Sequence, residues 1–494
     1  MKMTYNRLLC LVTALCLLLG LVLGASGVSA AEEAAATATT RQSGDGPQGT
    51  PPEGFPGGTR PEGTPPAGMG EPPSGGMGGG PGGAPGGASA DIEYAGAVEI
   101  TSRQTQEDET YASETADESA LLIATSDAVV ITNPTVTKSG SSNGGDSCNF
   151  YGLNAAVLVK DGAQVTLTGG TVTSDASGAN GVFCYGGNGG QNGAKGDGTT
   201  LTIRNTAITT TGSGSGGIMT TGGGVTYAYD LTVDTSGQSS AAIRTDRGGG
   251  TVYVNGGSYT SNGLGSPAIY STAEIHVSNA TLTSNLSEGV CIEGKNSIEL
   301  VNCDLVANNT QMNGNATFLD TIMIYQSMSG DADSGTSAFS MTGGSLTSRN
   351  GHVFHVTNTN ALITLSGVTV VNEDSEGVLL SVCDDGWTGA GNVATLNAVN
   401  EKLDGLLLVG SDATLNLNLT ESTAYTGTIS GVITNAKGDV ISDQVGTVHV
   451  TMDLGSTWTL TGDAYVTSFT GNAANVITNG YTLYVDGVAL AGTK

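Results

Sequence analysis

A unit that repeats every 23–26 residues constrains this chain more than any other feature in it. The segments TGGTVTS (168–174), NTAITT (205–210), NGGSYTS (255–261), SNATLTS (278–284), VNCDLVA (301–307), TGGSLTS (342–348) and SGVTVVN (366–372) superimpose on one central apolar residue. With Val233 included, that residue is Val172, Ile208, Val233, Tyr259, Leu282, Leu305, Leu346 and Val370, at spacings of 36, 25, 26, 23, 23, 41 and 24 residues. Two of these spacings hold insertions, and the rest are one unit. Self-similarity on this length scale marks an array of stacked supersecondary units.

Each unit carries another short β-rich run with the same rhythm, from AAVLVK and NGVFCY through AAIRTD, PAIYST and EGVCIE to GHVFHV, EGVLLS and DGLLLV. Strand side chains alternate between faces. Val157 and Val159, Val182 and Cys184, Ile243 and Thr245, and Ile322 and Ile324 therefore share a face. The same phase continues to Val353 and His355, Val378 and Leu380, and Leu406 and Leu408. This set is small or apolar and is expected to line the interior, with His355 as a hydrogen-bonded core histidine. Segments of helical period are missing. The pattern predicts an all-β fold, a right-handed parallel β-helix solenoid over residues 96–410. Parallel strands normally need helical crossovers. A solenoid dispenses with them, because each strand pairs with its copy in the next coil. A propeller would need blades of about 40 residues. Residues 411–494 alternate more tightly and read as final coils and a C-terminal cap over the open core.

The start of the chain differs. Lys2 and Arg7 precede an apolar run at about 8–23, and small residues follow at 25–31. Residues 1–30 therefore read as a secretory signal peptide. No cysteine follows the run as lipid attachment requires, and the C-terminal VDGVALAGTK shows no wall-sorting signal. No second long apolar segment exists, so the processed chain is expected to have no membrane span. It is expected to be secreted, or associated with a cell surface. Residues 31–95 are rich in Pro and Gly and lack hydrophobic periodicity, which predicts a disordered linker.

Lys and Arg number 16 against 45 Asp and Glu, a formal net charge of −29. A chain this acidic does not bind nucleic acid by neutralising phosphates; its charge is solubilising. Five of the seven cysteines lie beyond residue 30: Cys148, Cys184, Cys291, Cys303 and Cys383. They form no CxxC and no dense framework, which argues against a disulfide scaffold or a zinc site. They read as free, structural thiols.

The coil pattern resembles the pectin-lyase-like right-handed β-helix superfamily. GLNAAVLV, SGGIMTT, SAAIRTDRGGG, IEGKNSIEL, IMIYQSMSGD and STWTLTGDAYVTSFTG resemble, more closely, secreted adhesin-like β-helix proteins of Gram-positive gut-type bacteria. The resemblance covers about 96–494. It implies the fold and export, and no established activity.

Chemistry is expected on the outward side of the second repeated run. Phe183, Tyr185, Arg244, Asp246, Tyr270, Glu293, Tyr325 and Phe354 fall in that phase, with Arg247 and Lys295 in the adjoining turns. Exposed aromatics suit the apolar faces of sugar rings, while carboxylates and guanidinium suit hydroxyls and uronate. The ligand-binding candidates are thus Arg244, Asp246, Arg247, Tyr270, Glu293, Tyr325, Phe183 and Tyr185, and the expected partner is a polysaccharide or surface glycan. The catalytic candidates are Asp246 and Glu293, as a carboxylate pair for glycoside hydrolysis, and Arg244 or Lys295, as the base of a β-elimination on uronate. Two plainer readings stand beside these. Arg244–Asp246 and Glu293–Lys295 could be ordinary surface ion pairs, and the insertions at 185–199 and 326–337 could cover the face. Thr residues beside the central apolar position could form a flat rank, but Ala207, Asp234, Asp304 and Val306 interrupt it. No cofactor is expected. GDADSG (330–335) and CDDG (383–386) cluster Asp in a way that leaves calcium open, but neither matches a twelve-residue calcium loop. A monomer is expected.

Overall fold

The computed structural model describes residues 92–189 and 195–494. The expected signal peptide, and the linker up to residue 91, lie outside them. The described chain is a parallel β-helix. Each coil supplies three strands, one to each of three faces, where the sequence repeats reveal two. The first face is a sheet of 13 strands, from Ala95–Ile100 to Ile429–Ser430. The second and third faces are joined in a 22-stranded sheet, because Gly224–Thr235 and Gly250–Ser261 run unbroken across the corner between them. The third face continues in a four-stranded sheet from Lys402–Asp404 to Val476–Ile477. Coil-to-coil pairing is parallel with registers held residue for residue, for example Tyr227↔Tyr253 and Tyr253↔His276.

The repeat unit encodes its own corner. Three residues before the aligned apolar position stand Gly169, Asn205, Asp230, Gly256, Asn279, Asn302, Gly343 and Gly367. All of them adopt positive φ, between 50° and 76°. Only Gly, and less readily Asn or Asp, enters that region cheaply. The turn from the second face to the third is thus made by the same backbone conformation in coil after coil. Inside, Val157, Val182, Ile218, Ile243, Ile269, Val290 and Ile322 stack in one column of the single large core.

In the strands at 352–357 and 406–409 the inward column of the first face falls one position away from the expected His355 and Leu408. Ile322 pairs with Phe354 and Ile324 with Val356, so Phe354 enters the core against Phe339, and His355 lies on the outer side in register with Met323. Likewise Leu407 and Val409 line the core while Leu408 packs outside it. In the strand between, the register shifts between Val378 and Leu380, so Val378 packs outside while Leu380 lies in the core as expected. The cause lies in the preceding glycine. Gly181, Gly217 and Gly289 have ordinary φ and sit immediately before an inward residue. A Cβ there would strike Ile208, Val233 or Leu305 at 3.0 Å or less. Gly351, Gly377 and Gly405 instead have φ of 84°, 63° and 134° and lengthen the corner. A slip of one residue exchanges the two faces of a strand.

The last coils end on Trp458, fully buried, whose Nε1 donates to Gly427 O at 3.0 Å. Among the described residues, antiparallel pairs occur only near this end, between Val432–Thr434 and Val440–Asp443 and between Leu483–Val485 and Val488–Ala489. Among the same residues no helix is long and apolar enough to cross a membrane.

Two outcomes check this architecture. Asn279→Val is expected to cost about 1–2 kcal/mol in urea denaturation, and Asn279→Gly to cost little; equal effects would contradict the corner assignment. The five described cysteines are free and buried. A thiol reagent is expected to leave the folded protein unmodified and to titrate all five after denaturation without reductant.

Candidate functional site

The structure gathers the expected first-face residues and encloses them. Phe183, Tyr185, Arg244, Asp246, Tyr270, Glu293 and Tyr325 all project outward from the first face, yet all are buried. The expectation of an open face is therefore corrected. A short helix, Asp146–Tyr151, lays Phe150 and Tyr151 over Phe183, Tyr185 and Met219. Ala316 and Trp387 cover Tyr270, Met323 and Tyr325. Phe318 and Ile433 cover Leu408 and Cys383. Much of the cover comes from residues remote in sequence, and both insertions expected as covers take part. Residues 326–337 do so through Ser327, Ser329 and Asp331. Residues 185–199, of which 190–194 lie outside the described residues, do so through Gly189 O, which accepts from Tyr151 of the helix at 2.8 Å.

Under the cover the charged groups satisfy one another. Asp246 accepts from the Arg244 guanidinium and, at 2.9 Å, from the Arg247 backbone N–H. Arg247 pairs with Asp331 of the covering loop and lies 4.2 Å over the Phe150 ring. Glu293 Oε2 accepts from Tyr270 at 2.6 Å and Tyr325 at 3.0 Å, and Ser327 and Ser329 donate to its other oxygen. Burial pushes both phenols well above their usual range, with Glu293 adding to the effect. Lys295 stands apart from this cluster, exposed and paired with Asp333 at 2.8 Å. So the candidate acid, base and cation side chains meet, but as an internal network that ties loop 327–335 to the first face.

The misphased His355 belongs to a similar enclosed group. Its Nδ1 and that of His352 each lie 2.7 Å from Ser381 Oγ. Its Nε2 is 3.4 Å from Asp385 Oδ2, without hydrogen-bond alignment. Phe318 stacks on the His355 ring at 4.6 Å. Burial, with His355 nearby, lowers His352 to about 3, so it is neutral. Ser, His and Asp thus meet, but all three side chains are sealed from solvent. Among the described residues no three His, Cys, Asp or Glu side chains gather for a metal. In the acidic turns, Asp331 and Asp333 pair with Arg247 and Lys295, and Asp384 accepts from Asn392 at 2.5 Å.

The open site is on the second face, away from every residue that the sequence pattern had suggested. Tyr227, Tyr253 and His276 are consecutive rungs of one outward column, with ring centroids 5.2 and 5.0 Å apart and planes within 10°. That spacing follows the coil rise and exceeds the 3.5–4.0 Å of closely stacked carbons. The rings therefore do not seal one another off, and Tyr253 stays 40% exposed. Beside them runs the column Tyr229, Asn255, Ser278 and Val301, in which the side chains beyond Tyr229 are smaller and leave a groove of about 410 Å³. The Arg204 guanidinium lies 3.7 Å from the Tyr229 ring at one end. At the other, His276 is held by Glu274 at 2.9 Å and Glu299 at 2.8 Å. Burial opposes the imidazolium, but the two carboxylates prevail and raise the His276 pKa above its ordinary value.

A signal for this column was present. Tyr227, Tyr253, His276 and Glu299 each precede the aligned apolar residue of their own unit by the same six positions. Compared with protein-family profiles, curated proteins and solved structures, the chain matches none.

Burial pushes the Asp246 carboxyl up to about 6, against the pull of Arg244. A carboxyl raised in this way favours the fold below its ordinary value of 3.8 and loses that contribution as pH climbs to about 6. The loss is on the order of 2–3 kcal/mol. Asp246→Asn is therefore expected to cost more stability at about pH 4 than at about pH 7, measured by urea denaturation. An equal cost at both would contradict it.

Proposed function

We propose that this protein is an exported, surface-displayed binding protein of adhesin-like character that holds a glycan in the second-face groove. The observation that carries the reading is the partly exposed ladder Tyr227–Tyr253–His276 beside a groove of about 410 Å³. Aromatic rings offer apolar area at low conformational cost. Tyr229, Asn255, Ser278 and Glu299 add hydroxyl, amide and carboxylate groups suited to sugar hydroxyls. Sites of this kind, largely apolar with a few polar groups, are the usual form of a small-ligand site. The rungs are borne by paired strands, so the groove needs no rearrangement to form. Its expected occupant is a chain lying along the coil axis, since the rungs succeed one another in that direction.

The superfamily resemblance offers a polysaccharide lyase or glycosidase as the other reading. Its residues would be Asp246, Glu293, Arg244 and Lys295. Three of them are buried in the first-face network, and Lys295 is paired with Asp333. The binding reading therefore takes precedence.

Screening the purified full chain on a glycan array, followed by calorimetry, tests it. Tyr253→Ala is expected to weaken binding at least about tenfold, equivalent to about 1.4 kcal/mol, while lowering the melting temperature only slightly, because the ring is outside the core and 40% exposed. Unaltered binding in that variant would refute the groove. Release of unsaturated products or reducing ends from any glycan would favour the enzyme instead.

A further inference from the structure

The charges around the groove restrict what it can hold. Resting on the glycan-binding reading, we infer that the groove selects an amine-bearing glycan, whose ammonium is held at the Glu274–Glu299 end. These two carboxylates belong to successive coils and flank the His276 ring: Glu299 lines the groove, and Glu274 stands on the far side of the aromatic ladder from it. Each uses a single oxygen on the imidazole, Glu274 Oε1 on Nε2 and Glu299 Oε2 on Nδ1. Both side chains are 52% exposed, so the remaining oxygens face solvent beside the aromatic ladder. Two carboxylates against one imidazolium leave this end negative even when His276 is charged.

The opposite end is different. There the Arg204 guanidinium lies against the Tyr229 ring, several coils away along the axis. Uronate or sulfate along the groove would meet the carboxylates without a free cation beside them, in a chain whose net charge is −29. A sugar carrying an ammonium on an otherwise apolar ring face matches both features: the ring lies along Tyr253, and the ammonium reaches the carboxylates. Attraction between exposed charges is modest, so selectivity rather than bulk affinity is the signature.

Two oligosaccharides of equal length isolate this effect, the hexamer of glucosamine and the hexamer of N-acetylglucosamine. They share a backbone and differ at the amine. With the full chain, at low salt and at a pH that keeps the amine charged, the free-amine hexamer is expected to bind about fivefold tighter. Added salt is expected to erase that preference. Glu274→Gln combined with Glu299→Gln is expected to equalise the two ligands, whereas Tyr253→Ala weakens both. Equal or tighter binding of the acetylated hexamer overturns the inference, as does a preference that survives in the double variant. Oligolysine provides the remaining arm: if it binds as tightly as the glucosamine hexamer and ignores Tyr253→Ala, charge alone is being read and the inference fails. Binding of neutral glycans without amine preference sinks this inference alone. Failure of every glycan on the array sinks the binding reading with it.

Discussion

Everything in this protein depends on the hydrogen bonding of each strand to its own copy one coil later. That pairing fixes a rise per coil and places equivalent side chains above one another on every face. It also removes the need for crossover helices, so three faces close around one core with little else. The left-handed corner at Asn205, Asp230, Asn279 and their equivalents keeps the coils in phase. Once the phase is kept, inward columns become continuous apolar stacks and outward columns become continuous surfaces.

The outer sides of the first and second faces meet opposite fates. The first face carries long polar and aromatic side chains, and a helix and several loops of the chain cover them. The covering segments are held by ion pairs and hydrogen bonds at Arg247, Asp331 and Glu293 and by aromatic contacts at Phe150, Phe318 and Trp387. Buried ionic networks of this kind contribute more to a defined arrangement than to net stability. The second face carries shorter polar residues for most of its length. Its aromatic rungs at Tyr227 and Tyr253 stand out from that background and are left uncovered.

The fold was legible because repetition multiplies a weak signal. One strand of alternating residues proves little, but the same alternation at a fixed spacing in many units specifies stacking. Local backbone state was less legible. Gly217 and Gly377 look alike in sequence and precede similar apolar runs, yet one continues a strand and the other turns a corner. At Gly351 the same difference moved His355 from the expected core to the outer side and brought Phe354 in. The cover over Arg244, Asp246 and Tyr270 could be read only in part, from the insertion at 326–337, since Phe150, Ala316 and Trp387 reach it from distant parts of the chain. The aromatic ladder could have been read. It required only carrying the established register to a third strand in each unit.

The ladder also has a consequence for how such a protein can change over generations. Each rung belongs to one coil, and each coil is encoded by one contiguous stretch of 23–26 residues. In-frame duplication of that stretch would lengthen the groove by one rung without disturbing the packing on either side. Deletion would shorten it by the same step. Substitution of the single residue six positions before the aligned apolar residue would change one rung and leave the others intact. A surface built in this way is adjustable in discrete increments, independently of the core that supports it.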